Sequence, residues 1–204
     1  MLLQFSVTNH RSIKNTAVIS MKAAADKSMK ECLITPDGKK KIVPVMAIYG
    51  ANAAGKSNVI HALLLMREMV CGNYAKPLKG EELPYEPFAF VDEQIEPTAL
   101  EVIYYYEGIK YAYGFSFNNE RIISEYLYHW PNGREALIFN REKDQYEFRE
   151  SVQEQLTLAG RTSENRLYLT SSNEWNCVQT ENAYLWFQKN LRGLVATGIS
   201  NEIT

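Results

Sequence analysis

The strongest constraint on this chain is an eight-residue segment, Gly50-Ala51-Asn52-Ala53-Ala54-Gly55-Lys56-Ser57, which fits G-x-x-x-x-G-K-[ST] without a mismatch. A chance match in a chain of this length is about a one-in-a-hundred event at average residue usage. Its setting argues further against coincidence. Residues 43–49 before it are almost continuously apolar, which suits a strand buried on both faces of a mostly parallel sheet. After it, from Lys56 to about Cys71, Val59, Ile60, Leu63, Leu64, Met66, Met69 and Val70 recur with helical spacing over more than one face, so a deeply buried helix is expected. Gly72 stands where a helix of this length ends.

Each fixed position answers a chemical need. Gly50 and Gly55 let the backbone turn tightly and approach an anion with no Cβ in the way. The loop N–H groups and the positive end of the following helix cradle phosphate. Lys56 would reach the outer phosphates as a point charge, and the Ser57 hydroxyl would ligate Mg²⁺ bridging the same oxygens. ATP with Mg²⁺ is the expected ligand, because the N-K-x-D motif that reads guanine does not occur.

The rest of the chain reads as two further segments. Residues 4–8 and 17–21 suggest a hairpin of two strands, and the lysine-rich stretch 22–41 an exposed loop or ragged hairpin turning at Pro36-Asp37-Gly38. Beyond a Pro- and Glu-containing link, 73–87, the period changes to two. Residues 99–106, 109–117, 122–130 and 136–141 form an expected antiparallel meander, with turns at Glu107-Gly108, Asn118-Asn119 and Pro131-Asn132-Gly133. From Ser151 the pattern is helical again, with Thr162 or Ser163 as N-cap and a second helix near 182–191. The fold class is therefore α/β: a P-loop core over 1–72, an antiparallel insert over 73–150, and the start of a helical lobe over 151–204.

Composition bounds the partners. The net charge of −2 supplies no basic field for tight nonspecific binding of nucleic acid. Cys32, Cys71 and Cys177 are odd in number and carry no metal-ligand spacing, which fits reduced thiols in a cytoplasmic protein. No apolar stretch is long enough to span a bilayer.

Other residues invite weaker readings. In Phe88-Ala89-Phe90-Val91-Asp92-Glu93, an apolar run ends in two acids, as in a strand whose Asp holds Mg²⁺ and whose Glu polarises water; an ordinary strand ending in a charged turn is the plainer reading, and Pro87 suits a sheet edge better than its centre. Asp92 and Glu93 are thus the alternative catalytic pair of a self-contained small NTPase; the other alternative is a non-hydrolysing regulatory module that binds ATP and a protein partner through its insert. Tyr104, Tyr105, Tyr106, Tyr111 and Tyr113 could stack on bases, yet tyrosine also suits a half-exposed strand. His61 reads as a core or half-buried histidine, and His129 has no partner visible by spacing.

The stretch G-A-N-A-A-G-K-S-N, with Asn52 inside the loop and Asn58 after it, resembles the P-loop of ATPase heads of the structural-maintenance-of-chromosomes, RecF and overcoming-lysogenization-defect type. The opening Phe5-Ser6-Val7-Thr8-Asn9-His10-Arg11-Ser12 is similar to the start of those heads, with His10 in place of the usual aromatic. Pro87-Phe88-Ala89-Phe90, Tyr111-Ala112-Tyr113-Gly114-Phe115 and residues 161–169 resemble one branch, the bacterial AAA-family ATP-binding proteins related to abortive-infection and restriction-associated ATPases. The resemblance implies an ABC/SMC-like head binding ATP through residues 50–58, with Arg11 and Ser12 nearby and Gln94 as a candidate Mg²⁺-sensing glutamine. It makes Phe88-Glu93 part of the insert. It further implies a partner: a C-terminal half carrying the signature helix and acidic strand, a second head in a homodimer, or a nuclease or toxin in antiviral defence. The chain reads as the N-terminal part of a longer protein.

Overall fold

The computed structural model describes residues 1–25, 30–38, 41–52, 54–90 and 96–193. One seven-stranded sheet runs through it, in the order β2-β1-β3-β4-β5-β6-β7, and every strand pair is antiparallel. The strands are β1 (Leu2–Thr8), β2 (Ala17–Ser20), β3 (Thr98–Tyr106), β4 (Ile109–Phe117), β5 (Ile122–Trp130), β6 (Ala136–Glu142) and β7 (Gln145–Phe148). Four helices accompany them: α1 (Lys56–Cys71), α2 (Val152–Ala159), α3 (Tyr168–Glu174) and α4 (Val178–Lys189). The N-terminal hairpin does not stand apart from the meander: β1 pairs with β3 from Leu2 opposite Tyr104 to Thr8 opposite Ala99.

Alternation along the strands decides where the core lies. Phe5 and Val7 of β1, Leu100, Val102 and Tyr104 of β3, and Tyr113, Phe115 and Phe117 of β4 are all buried. Helices α1 and α4 cover this face. Tyr104 stacks on Trp186 of α4 with centroids 4.1 Å apart, and its hydroxyl donates to the Ala183 carbonyl at 3.0 Å. Tyr104, Tyr111 and Tyr113 are core residues, so they cannot serve as a base-stacking surface; their period-two spacing marked the inner face of the sheet.

A buried polar cluster joins the sheet to the helices. The Glu125 carboxylate, fully buried on β5, accepts the backbone N–H groups of Tyr168 (2.6 Å) and Leu169 (3.0 Å) and the Tyr113 hydroxyl (2.9 Å). Arg141 of β6, also buried, lies 3.5 Å from Glu125 and donates to the carbonyls of Lys143, Arg166 and Glu164. Burial pushes the Glu125 carboxyl above the usual carboxylate range, against the pull of Arg141 and the N–H donors. The segment entering α3 is thereby fixed by a carboxylate, and Thr162 and Ser163 cap nothing: Leu167 precedes α3, while the Thr162 hydroxyl donates back to Leu158.

Helix α1 begins and ends where its sequence indicates. Gly72 follows its last residue, but at φ −113° it is not the left-handed cap expected there. It is glycine because a Cβ would lie 2.8 Å from the Glu68 Cα. One face of α1 is buried, with Ala62, Leu63, Met66, Met69 and Val70 on it, and the Val70 carbonyl accepts the Thr170 hydroxyl at 2.7 Å. Ile60 and His61 are exposed, so α1 is not buried all round and His61 is not a core residue.

The larger departure concerns residues 43–49. They form no strand, and Val45 and Tyr49 are 78% and 90% exposed. Val43 donates to the Met21 carbonyl at 2.8 Å, but among the described residues no strand pairs with 44–49, so most of an apolar run suited to a doubly covered strand is exposed.

Candidate functional site: the loop at the start of helix α1

The phosphate-loop motif occupies the turn between the open apolar segment and α1. Gly55 adopts φ +82° directly before the first helical residue, a conformation glycine takes without penalty. A Cβ there would also meet the Ser12 Oγ at 2.9 Å. Gly50 has ordinary room for a Cβ, the nearest atom being the Lys56 Cδ at 3.5 Å; loop packing alone does not demand glycine at that position.

The Lys56 side chain curls back over its own loop. Its Nζ donates to the carbonyls of Gly50 at 2.7 Å and Ala51 at 2.6 Å. The ammonium therefore stands over the loop, and the first turn of α1 carries no acid to oppose it. Ser57 is exposed one residue further on. Ser12, Ala54, Gly55, Lys56, Ser57 and Asn58 line an open cavity of about 300 Å³. Lys56, a hydroxyl at Ser57 and the unpaired N–H end of a helix make a donor set that fits a phosphate with its cation.

The turn of residues 9–13 forms one wall. Ser12 accepts a hydrogen bond from Asn58 Nδ2 at 2.7 Å, which sets it against the start of α1. Asn9 and Arg11 both adopt φ +51°, and His10 and Ile13 exchange backbone hydrogen bonds at 2.9 and 2.8 Å. Asparagine tolerates this conformation; for arginine it stores strain of order 1 kcal/mol or more, the kind of outlier found at functional sites.

Arg11 itself is engaged elsewhere. Its N–H donates to the Glu86 carbonyl at 2.7 Å, and its guanidinium pairs with the Glu86 carboxylate at 2.6 and 3.2 Å. This pairing holds the Glu86 carboxyl below its ordinary range, chiefly through the hydrogen bond. Asn9 binds the chain on both sides of 91–95: its Oδ1 accepts the Phe88 N–H at 2.9 Å and its Nδ2 donates to the Glu96 carbonyl. His10 is 2% exposed, and neither ring nitrogen has a partner. Burial first, then the neighbouring Arg11, lowers its pKa.

The structure thus brings together Gly50, Ala51, Asn52, Ala54, Gly55, Lys56, Ser57, Asn58 and Ser12, with Arg11 one residue away but paired to Glu86. Ala53, Asp92, Glu93 and Gln94 lie outside the described residues. Residues 88–90 form no strand, so that part of the acidic-strand reading does not hold. Sequence reasoning missed Glu86 and the orphaned nitrogens of His10, for no spacing links either to the loop. Among the described residues no cluster of three His, Cys, Asp or Glu could hold a metal, and no helix is long and apolar enough to cross a membrane.

The described residues thus define a protein of mixed α and β content, an antiparallel seven-stranded sheet with four helices in place of the expected mostly parallel sheet, in which a glycine-turned loop feeds a helix that opens on Lys and Ser. The chain belongs to the family described as "AAA domain, putative AbiEii toxin, Type IV TA system", whose model matches residues 45–196. The match begins inside the open apolar segment and leaves out β1, although β1 is hydrogen bonded to β3 within the matched region. No curated protein matches the chain.

Proposed function

We propose that the chain binds Mg²⁺-ATP at residues 50–58 as part of an SMC- or OLD-like ATPase head, whose nucleotide-driven assembly is coupled to a partner activity in defence against phage. The observation that carries this reading is the loop itself: Gly55 in the left-handed conformation, Lys56 folded over the loop, and Ser57 opening α1. Lys56 would exchange two carbonyl contacts for phosphate oxygens, Ser57 would ligate Mg²⁺, and the N–H groups of the loop would hold the phosphates. The cation supplies charge neutralisation there. Ser12 and Asn58 keep the loop's outer wall in place.

The exposed run of Val45, Met46, Ile48 and Tyr49 supports an incomplete head. Open backbone and apolar side chains at the base of the loop suit additional strands, whether from the same polypeptide or a second copy. The family's toxin–antitoxin description suits a protein partner. Cytoplasmic location agrees with the free thiols.

Calorimetry with Mg²⁺-ATP, run beside Lys56→Ala, tests the reading. Binding by the native chain that falls at least a hundredfold in the variant supports it, and equal binding by both ends it. Turnover by the chain alone, abolished by Glu93→Gln, would move the function to a self-contained NTPase.

A further inference from the structure

Phe90 is 85% exposed, and it is not an isolated surface residue. It meets Phe88 edge to face, with ring centroids 5.7 Å apart. The segment that carries the pair is anchored twice to the turn beside the phosphate loop: Phe88 N–H to Asn9 Oδ1, and the Glu86 carbonyl and carboxylate to Arg11. That turn is in turn tied to the loop, through Ser12 against Asn58 and Gly55. Residues 9 to 12 span at most about 11 Å even fully extended. The segment carrying the aromatic pair and the expected phosphate loop are therefore anchored to the two ends of one short turn, and a nucleoside triphosphate is long enough to reach along such a turn from its outer phosphates to its base. Unused hydrogen-bonding capacity lies in the same turn, since both ring nitrogens of buried His10 lack partners.

We propose that Phe88 and Phe90 form the platform on which the base of the bound nucleotide stacks, with the Arg11–Glu86 pair at its margin. This rests on the reading that residues 50–58 hold the phosphates. Every base offers a π-face, so the platform adds affinity for a nucleoside triphosphate over bare polyphosphate without reading base identity. Glu86 acts as a positioning residue: it holds Arg11 in its left-handed turn and so fixes where the aromatic segment lies.

The test compares Mg²⁺-ATP with Mg²⁺-tripolyphosphate on the full chain, in the native protein and in Phe90→Ala, Phe90→Trp and Lys56→Ala. Phe90→Ala should weaken ATP about tenfold and leave tripolyphosphate unchanged. Phe90→Trp should bind ATP like the native chain, with an emission change on ATP that tripolyphosphate does not give. Because Phe90 is exposed, all variants should keep the native circular dichroism. Unchanged ATP affinity in Phe90→Ala overturns the platform, as does an equal loss for both ligands. Lys56→Ala separates the two readings: if it binds both ligands normally, or if the native chain binds neither, the phosphate site itself is wrong and the platform falls with it.

Discussion

Asn58, in the first turn of α1, donates its side-chain N–H to the Ser12 hydroxyl at 2.7 Å, across forty-six residues of sequence. That contact joins the wall of the site to its floor. Ser12→Ala and Asn58→Ala should each weaken Mg²⁺-ATP several-fold while moving Tm by little, since exposed neutral hydrogen bonds contribute about 0.5–1.5 kcal/mol. In a double-mutant cycle read by calorimetry, the two losses should be coupled and not additive.

Gly55→Ala should be far more damaging than Gly50→Ala. At Gly55 the methyl meets both an unfavourable φ of +82° and the Ser12 Oγ at 2.9 Å, whereas at Gly50 the loop itself has room. ATP affinity is the measurement. A Gly55→Ala protein that binds as tightly as the native chain would contradict the geometry.

The buried Glu125–Arg141 pair should reveal itself in chemical denaturation. Arg141→Met leaves a buried carboxylate with no cation and should cost about 3–5 kcal/mol. Adding Glu125→Leu should recover part of that loss, because the uncompensated charge is then gone. A double variant as weak as the sum of the single ones would mean that the contacts to α3 outweigh the charge.

His10 should make stability fall in acid. Its folded pKa is lowered by burial, so the unfolded chain takes up the proton first. The contribution is present above the ordinary histidine value of about 6.5 and is lost as the pH falls through and below it. His10→Phe should flatten the pH profile of urea midpoints and raise stability by about 1 kcal/mol, by removing two buried unpaired nitrogens. The slope that remains belongs in part to His129, whose pKa burial also lowers.

Uncovered Val45 and Tyr49 should promote association at high concentration. Val45→Lys with Tyr49→Lys should reduce it in sedimentation velocity without lowering Tm, since neither side chain packs in the core.

What the sequence made legible follows its periodicities. Helix α1 runs over the expected residues because apolar spacing, the motif before it and Gly72 after it all agree. Strands β3 to β6 lie within a residue of their expected bounds because Glu107-Gly108 and Pro131-Asn132-Gly133 mark the turns between alternating runs. Short β7 was hidden, with only Tyr146 and Phe148 to signal it. Residues 43–49 carry the composition of a buried strand, yet composition cannot supply the neighbours that would pair with it. Ser12 beside the loop was accessible only through the resemblance of the opening residues. Nothing local indicated that Arg11 would be claimed by Glu86, seventy-five residues away.

Asn9 has a consequence for how the chain is made. Its side chain and carbonyl bind Phe88, Glu96 and Thr98, all about eighty to ninety residues downstream. A ribosome delivers the N-terminal strand first, at about 5–20 residues per second. For several seconds that strand has only β2 beside it, and the turn flanking the phosphate loop lacks its contacts to Glu86, Phe88, Glu96 and Thr98. The wall of the proposed nucleotide site is therefore completed late in translation, when β3 emerges and closes on Asn9, and a nascent chain stalled before residue 98 would display the motif without that wall.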